Sequence, residues 1–184
     1  YTNVMAQWNL ERAADTVDWL RSRRSDDWPI VCERLQVKSD EPDSWRRTAE
    51  LMTTGFDRPT NLFEQFSGFF QLEEVELQAY RTLPVPIDVT LGRDRTQKSK
   101  VVKQADVVAL SALLWERFPS AVHEANFRYY EPRTAHGSSL SPALHAFVSA
   151  RLGDSDRAAR YFRDAAAIDL SNHRGNAAGG VHIA

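Results

Sequence analysis

The amino-acid sequence predicts an all-α fold. Apolar residues recur every three or four positions over most of the chain, the spacing that places them on one face of a helix. Prolines and small polar residues stand where these periodic segments begin, and glycines stand where several of them end, which is typical of helix boundaries. With 42% hydrophobic and 26% charged residues, the composition is that of a soluble globular domain and argues against disorder.

Three helices are predicted in the first 55 residues. The first covers residues 2–22 and the second covers about residues 29–36. The third begins near Pro42, which suits a first helical turn because proline has no amide hydrogen to lose there, and it ends before Gly55. Four tryptophans in this half are interpreted as helix packing rather than sugar stacking: Trp8, Trp19, Trp28 and Trp45.

The helical period fades between residues 56 and 100. Four phenylalanines cluster around Gly68, at Phe63, Phe66, Phe69 and Phe70. Apolar and polar residues then alternate from Val85 to Leu91, which predicts an extended segment. The basic side chains that follow are interpreted as a solvated loop, with Lys103 set apart from them: Arg93, Arg95, Lys98 and Lys100.

Helices return in the second half of the chain. Residues 107–118 are apolar nearly all round, which predicts a helix buried on every side. A shorter helix follows over residues 119–130. The chain as a whole then contains about seven helices, including the two described next.

Two further helices are predicted near the C-terminal end. One covers residues 142–152, with Ser141 as its N-cap and Gly153 as its stop. Asp154 then caps the last helix, whose apolar face is predicted to carry Ala158, Phe162, Ala165 and Ile168.

The segment YYEPRTAHGSSLSP, residues 129–142, places a carboxylate, a guanidinium, an imidazole and three serines directly before a predicted helix. Free backbone N–H groups in the first turn of a helix bind anions, and Arg133 and His136 would add donors and positive charge. The residues alone leave two interpretations open, an anion site and a polar interhelix loop capped by Ser141.

Charge and short motifs exclude several classes of protein. The net charge of −2 provides no field that would attract nucleic acid or an anionic membrane, and no apolar run reaches the length of a membrane span. The single cysteine, Cys32, cannot form an internal disulfide, which predicts a reduced thiol and a cytoplasmic protein. Zincin, Cys-x-x-Cys, P-loop and Gly-x-Ser-x-Gly motifs are absent from the sequence, so we expect no metal and no cofactor.

Four blocks in fixed order resemble glycoside hydrolase family 65, which contains inverting maltose, trehalose, kojibiose and nigerose phosphorylases and some hydrolases. The blocks are YTNVMAQWNL at residues 1–10, VKQADV at 102–107, the segment 129–142, and GGVHIA at 179–184. Weaker similarity joins them, so the resemblance spans the whole chain.

The resemblance implies an (α/α)6 barrel, a closed double ring in which inner and outer helices alternate. This chain would supply about half of that ring, as the C-terminal portion of the catalytic domain over residues 1–184. The family's general acid is a glutamate in a Gly-Pro-Asp-Glu-Tyr motif. That motif is expected upstream of residue 1 and is absent here, so the fragment alone is expected to be inactive.

The implied activity is inverting phosphorolysis of an α-glucosidic disaccharide, giving β-glucose 1-phosphate, with inorganic phosphate as co-substrate. By resemblance, Lys103 and Gln104 bind hydroxyls of the transferred glucose. The implied phosphate site is formed by His136, Ser138, Ser139 and His182. The sequence departs from the common family pattern at Gly137, where an aspartate is frequent, and this puts the acceptor specificity in doubt.

Two other functions remain open at this point. One is an α-glucoside hydrolase on the same scaffold, with Glu131 as its base, although Glu131 would equally serve as a salt-bridge partner of Arg133. The other is a helical binding or structural module without catalysis of its own. Expected partners are the disaccharide, phosphate, the remainder of the same catalytic domain and a second copy in a homodimer, but neither nucleic acid nor a membrane.

Overall fold

The computed structural model describes residues 1–80, 87–103, 106–136 and 140–167. Contacts divide the chain into two compact units, Tyr1–Thr54 and Gly55–Ala184. The described residues are mainly helical, with one sheet of two very short strands, which confirms the all-α expectation. Within these ranges, no helix combines the length and the apolar character needed to cross a bilayer.

The first unit consists of three helices, α1 (Thr2–Arg23), α2 (Trp28–Leu35) and α3 (Glu41–Leu51). Their bounds agree with the sequence to within a few residues, and a proline stands in the first turn of both α2 and α3. Side-chain amides on α1 bind carbonyl groups at the end of α3: Gln7 Nε2 donates to the Ala49 oxygen at 2.9 Å and Asn3 Nδ2 donates to the Thr53 oxygen at 2.7 Å.

The second unit begins with a small antiparallel hairpin and continues with helices. The strands are β1 (Phe56–Asp57) and β2 (Leu62–Phe63), and the helices are α4 (Ile87–Leu91), α5 (Arg93–Gln97), α6 (Asp106–Leu113), α7 (Ser120–Tyr130), α8 (Leu140–Arg151) and α9 (Ser155–Ala167). Short 3-10 turns cover Phe69–Gln71, Leu77–Tyr80, Trp115–Arg117 and Glu131–Arg133.

Side chains of α7 form hydrogen bonds with the backbone of strand β2 in the hairpin. Asn126 Oδ1 accepts the backbone N–H of Phe63 at 2.8 Å, and the Tyr130 hydroxyl donates to the Phe63 carbonyl. The Asn126 amide also donates to the Asn61 and Val122 carbonyls. Both side chains are buried. They provide hydrogen-bond partners for the backbone N–H and carbonyl of Phe63, which would otherwise need a third strand.

The expectation of an extended segment ending at Leu91 is wrong where it can be compared, because Ile87–Leu91 is helix α4. Alternation over five residues cannot distinguish a strand from one turn of helix, and Gly92, at φ +77°, separates α4 from α5. The basic stretch is only partly the solvated loop that was expected. Arg93 and Arg95 lie in α5, whereas Lys98 is an exposed turn residue beyond it. Two cations of the stretch make ion pairs, Arg95 with Glu73 at 2.7 Å and Lys100 with Glu74 at 3.3 Å.

Helix α6 is shorter and less enclosed than the sequence predicts. It ends at Leu113 and a 3-10 turn follows at Trp115–Arg117. Val107, Val108 and Leu110 are buried, but 56% of Leu113 is exposed, so the helix is not covered on every side. The uniform apolar pattern of this segment carries no information about which side is open.

The turn between α8 and α9 confirms two sequence predictions. Gly153 has φ +82°, a conformation that favours glycine, and it ends α8. Asp154 Oδ1 accepts the Arg157 backbone N–H at 3.0 Å, the bond expected of an N-cap residue. The face of α9 was misassigned, however, because Tyr161 is buried while 67% of Phe162 is exposed.

Candidate functional site

A parallel bridge between Val102 and Thr134 connects the Lys103 segment with the polar segment that follows α7. Val102 N donates to the Arg133 carbonyl and Ala135 N donates to the Val102 carbonyl, both at 2.8 Å. Lys103 is exposed directly after this bridge. The backbone therefore brings the predicted glucose-binding lysine next to the segment that leads to His136.

Lys103 lines an open pocket of about 410 Å³. Asp106 lies on the same wall, and its carboxylate accepts a 3.0 Å hydrogen bond from the Gln65 amide. Phe66 contributes an aromatic ring that is 53% exposed. An ammonium group, a carboxylate and an exposed ring suit a polar ligand with an apolar face, such as a sugar.

His136 lies at the centre of a chain of polar contacts. Its Nδ1 is 2.9 Å from Ser141 Oγ, and its Nε2 is 3.3 Å from the Tyr161 hydroxyl oxygen. The Tyr161 hydroxyl donates to Glu131 Oε1 at 2.6 Å. His136 also has a left-handed backbone, at φ +51°, which is uncommon outside glycine. Both ring nitrogens thus face partners within the protein.

The Ser141 contact corrects the sequence prediction for this helix. Helix α8 begins at Leu140, so Ser141 lies inside its first turn and is not the N-cap. Its buried hydroxyl approaches His136, and its carbonyl accepts a 2.8 Å hydrogen bond from His145 Nδ1. Capping preferences locate the start of a helix only to within a residue or two, which is the size of this error.

Charges around Glu131 differ from the sequence expectation. Its ionic neighbour is Arg160, whose Nη2 lies 3.6 Å from Glu131 Oε1, so the proposed salt bridge to Arg133 is wrong. Burial, reinforced by the hydrogen bond to Glu131, raises the pKa of Tyr161 well above its ordinary value. Tyr161 therefore keeps its proton, and its single hydrogen is directed at Glu131.

Arg133 is committed to other contacts. Its Nε lies 2.8 Å from Glu74 Oε1, its Nη1 donates to the Tyr129 carbonyl at 2.6 Å, and its guanidinium carbon lies 4.0 Å from the centre of the Tyr129 ring. Although burial opposes it, hydrogen bonds from Arg133 and Lys100 hold the pKa of Glu74 below its usual value. We therefore interpret Arg133 as an anchor of the segment rather than an anion ligand.

His145 completes the cluster from the buried face of α8. Its ring lies 4.6 Å from that of His136 and 5.1 Å from that of Tyr161, measured between ring centres. Burial lowers its pKa, and its Nδ1 must donate because the Ser141 carbonyl can only accept. Its Nε2 is buried and has no hydrogen-bond partner among the described residues.

Sequence reasoning missed Tyr161, although a signal was present. Ala158, Tyr161 and Ala165 have the spacing of one helix face just as Ala158, Phe162 and Ala165 do. The structure brings together three of the described candidates, with Glu131 and His136 in one cluster and Lys103 in the segment bridged to it. The remaining candidates lie outside the described residues: Gln104, Ser138, Ser139 and His182.

Comparison with known proteins supports a carbohydrate enzyme. A family model, the glycosyl hydrolase family 65 central catalytic domain, matches residues 1–184. A kojibiose phosphorylase from Halothermothrix orenii is 36% identical over the whole chain, and an α,α-trehalose phosphorylase from Geobacillus stearothermophilus is 32% identical over the same length. The chain covers 24% of each of these relatives, so it spans about a quarter of the length of the curated proteins it matches.

A solved structure agrees with this result. The "Putative kojibiose phosphorylase from human microbiome" has a TM-score of 0.82 and 28% identity to this chain. The match covers 99% of this chain and 25% of that protein. The helical fold of this chain is therefore similar to that of a segment of this solved protein.

Proposed function

Because this chain belongs to glycosyl hydrolase family 65, we propose that it carries glucose- and phosphate-binding segments of an enzyme that cleaves an α-linked glucose disaccharide by inverting phosphorolysis. A phosphate oxygen forms a bond to the anomeric carbon while the bond to the leaving oxygen breaks. A general acid, absent from this chain, protonates the leaving group, and the product is β-glucose 1-phosphate.

The bridge between Val102 and Thr134 is the observation that carries this proposal. It supports a common site for the two substrates, because Lys103 follows one strand of the bridge and His136 closely follows the other. In the proposed arrangement, Lys103 and Gln104 hold glucose hydroxyls, while Ser138, Ser139 and His182 hold phosphate. Serine hydroxyls suit this role because they donate to phosphate oxygens at short range and carry no charge that would repel a dianion.

The contacts of Glu131 favour the phosphorylase over a hydrolase that uses this carboxylate as base. One of its oxygens accepts the Tyr161 hydrogen bond, Arg160 lies nearby, and only 14% of the side chain is exposed. A general base must reach the attacking water and accept its proton. A carboxylate held between a phenol and a guanidinium is better suited to organising its neighbours.

The test uses the complete enzyme that contains this chain and a panel of α-linked glucose disaccharides, with and without phosphate. We expect sugar release to require phosphate and proton NMR of the first product to show the β anomer. Cleavage of the disaccharides at the same rate without phosphate would contradict the proposal and favour the hydrolase.

Replacement of both Ser138 and Ser139 by alanine should raise the KM for phosphate. Loss of two charge-assisted hydrogen bonds of about 1.5–3 kcal/mol each corresponds to roughly 10²–10⁴-fold, if the two effects add. The KM for disaccharide should change little. The matched control is Ser120→Ala, which removes an exposed hydroxyl at the start of α7. An equal rise in the phosphate KM of this control would contradict the assignment of Ser138 and Ser139 to the phosphate site.

A further inference from the structure

We propose that Tyr161 and Glu131 are positioning residues that act through His136 on the segment that binds phosphate. This inference rests on the function proposed above and adds two residues to it. Their action is indirect, because Tyr161 touches His136 and Glu131 touches Tyr161.

The single hydrogen of the Tyr161 hydroxyl determines which atom donates in each hydrogen bond between Glu131, Tyr161 and His136. That hydrogen is donated to Glu131 Oε1 at 2.6 Å, a shorter contact than the one this oxygen makes with His136. The lone pairs of Tyr161 then face His136 Nε2 at 3.3 Å, so this nitrogen has to supply the hydrogen of the second contact. Glu131 and Tyr161 together hold the His136 ring with its hydrogen on Nε2.

The opposite side of the His136 ring tolerates either charge state. Ser141 Oγ lies 2.9 Å from Nδ1 and can donate to a neutral ring or accept from a protonated one. A proton gained or lost at Nδ1 therefore requires rotation of one hydroxyl and leaves the ring in place. Among the described residues, the titratable groups in contact with this ring are Tyr161 and His145, and Glu131 with its neighbour Arg160 lies behind Tyr161.

The contact between His136 and Ser141 joins the two flanks of the short segment 137–139. His136 directly precedes that segment, and Ser141 stands two residues beyond it. His136 also has a left-handed backbone, which is uncommon for residues other than glycine and is here accompanied by side-chain contacts on both ring nitrogens. The Tyr161 contact holds the far side of the same ring, so it restrains the side chain that joins the two flanks.

This arrangement changes the expected role of His136 itself. With Nδ1 directed at Ser141 and Nε2 at Tyr161, a direct bond from either nitrogen to phosphate would require one of these contacts to break. We infer that His136 orients the neighbouring serines. Loss of its Tyr161 contact should consequently weaken phosphate binding without a comparable effect on the sugar.

The experiment measures steady-state kinetics and phosphate binding in the complete enzyme. Tyr161→Phe removes the hydroxyl and keeps the ring, and Glu131→Gln keeps an acceptor for that hydroxyl but removes the charge. We expect Tyr161→Phe to raise the KM for phosphate by about tenfold, the effect of one hydrogen bond in a buried network, with the KM for disaccharide within twofold of the wild type. Glu131→Gln should have the same direction and a smaller size.

A double-mutant cycle distinguishes positioning from general loss of structure. His136→Asn tolerates the left-handed backbone and keeps an amide where Nδ1 faces Ser141, but it lacks the atom that faces Tyr161. We expect Tyr161→Phe to have almost no further effect on the phosphate KM in that background. The control for loss of a hydroxyl is Tyr129→Phe, since the Tyr129 hydroxyl makes no hydrogen bond among the described residues and its ring contacts persist.

Different results would contradict this inference and the proposed function. Unchanged phosphate KM in both Tyr161→Phe and Glu131→Gln, or additive effects of Tyr161→Phe and His136→Asn, would overturn the inference while leaving phosphorolysis intact. A wild-type enzyme that neither binds nor consumes phosphate would overturn the proposed function and this inference together. If Tyr161→Phe lowers the melting temperature too far for assay, the Glu131→Gln result decides.

Discussion

His145 is a neutral imidazole enclosed by protein. It is fully buried, its Nδ1 donates to the Ser141 carbonyl, and its titratable neighbours among the described residues include Glu131, His136 and Tyr161. Burial penalises the protonated ring and lowers its pKa below 6.5, against smaller opposing effects of the Ser141 hydrogen bond and the Glu131 charge. Folding therefore has to keep this ring uncharged.

We expect the protein to lose stability as the pH falls below about 6.5, the ordinary pKa of histidine. In that range the unfolded chain binds a proton at His145 that the folded chain does not, and the loss continues until the pH reaches the lowered folded pKa. Each unit of difference corresponds to about 1.4 kcal/mol of unfolding free energy. Denaturant unfolding of wild type and His145→Asn between pH 8 and 5.5 checks this.

The His145→Asn variant keeps a donor for the Ser141 carbonyl and has no titratable ring. Its unfolding free energy should depend less on pH than that of the wild type, even though the smaller side chain lowers stability at every pH. Parallel pH profiles for the two proteins would show that burial of His145 is not the cause.

At this scale the sequence predicted some roles and missed others. His145 stands on a helix between apolar neighbours, a pattern that favours a structural role, and it is buried. The link from Glu131 to Tyr161 joins residues 30 positions apart, and no local pattern reports such a contact. Arg133 is only two residues from Glu131 in the sequence, yet it pairs with Glu74. Proximity in sequence did not predict this ion pair, because the path of the backbone determines which charged side chains come into contact.

At the scale of elements, the turn between α8 and α9 decides where Tyr161 lies. Gly153 ends α8 in a left-handed conformation, and Asp154 starts α9 by accepting the Arg157 backbone N–H. Helix α9 then runs back along α8, with its buried Tyr161 ring 5.1 Å from His145. The turn between α8 and α9 therefore determines the position of Tyr161 beside His145, although it lies several residues before Tyr161 in the sequence.

Asp154→Ala should lower the unfolding free energy by about 0.5–2 kcal/mol, the usual effect of losing an N-cap. Asp154→Asn should cost less, because its amide oxygen still accepts the Arg157 N–H. Urea denaturation measures both values, and Asp156→Ala, in the first turn of the same helix, is the control for loss of an acidic side chain near the N-terminus. Equal losses from Asp154→Ala and Asp156→Ala would exclude the cap as the cause.

Most helices were predictable because their boundary residues act locally. Pro29 and Pro42 mark first turns, and Gly153 marks an end, whatever the rest of the chain does. Helix α4 was mistaken for an extended segment because five residues are too few to define a period. The hairpin β1–β2 was not predicted either, since Asn126 and Tyr130 bind it from a helix more than 60 residues away.

At the scale of the whole molecule, several large apolar side chains remain exposed among the described residues. On the last helices they include Leu113 on α6, Leu140 and Phe147 on α8 and Phe162 on α9, with exposures of 56%, 50%, 43% and 67%. Exposed apolar side chains in such numbers are typical of surfaces that contact other protein. Periodicity alone predicted helices but could not show which faces remain open.

We expect residues 1–184, produced alone, to bind an apolar fluorescent dye and to elute from size-exclusion columns above the monomer mass. Phe147→Glu together with Phe162→Glu should reduce both effects, because charge on these positions opposes association. Light scattering coupled to chromatography gives the mass. A monomer with no dye fluorescence would contradict the prediction, and Thr16→Glu, at an exposed position of α1, serves as the control.

The motifs identified the family, and the structure supplied the spatial arrangement of the residues. Periodicity and composition lead to an all-α protein and no further, whereas four ordered blocks identified the family that the comparisons confirm. The blocks named Lys103 and His136 without relating them in space. Their relation depends on the backbone pairing of Val102 with Thr134, which is a long-range contact.

That pairing has a thermodynamic consequence for the two substrates. Lys103 stands one residue beyond Val102, and His136 stands two residues beyond Thr134. We therefore expect a ligand that restrains the backbone on one side of the bridge to restrain the backbone on the other side as well. Under the roles proposed for these segments, sugar and phosphate would bind with positive cooperativity, each raising the affinity of the other by the same factor. A single pair of backbone hydrogen bonds would thereby favour the ternary complex over either half-loaded state.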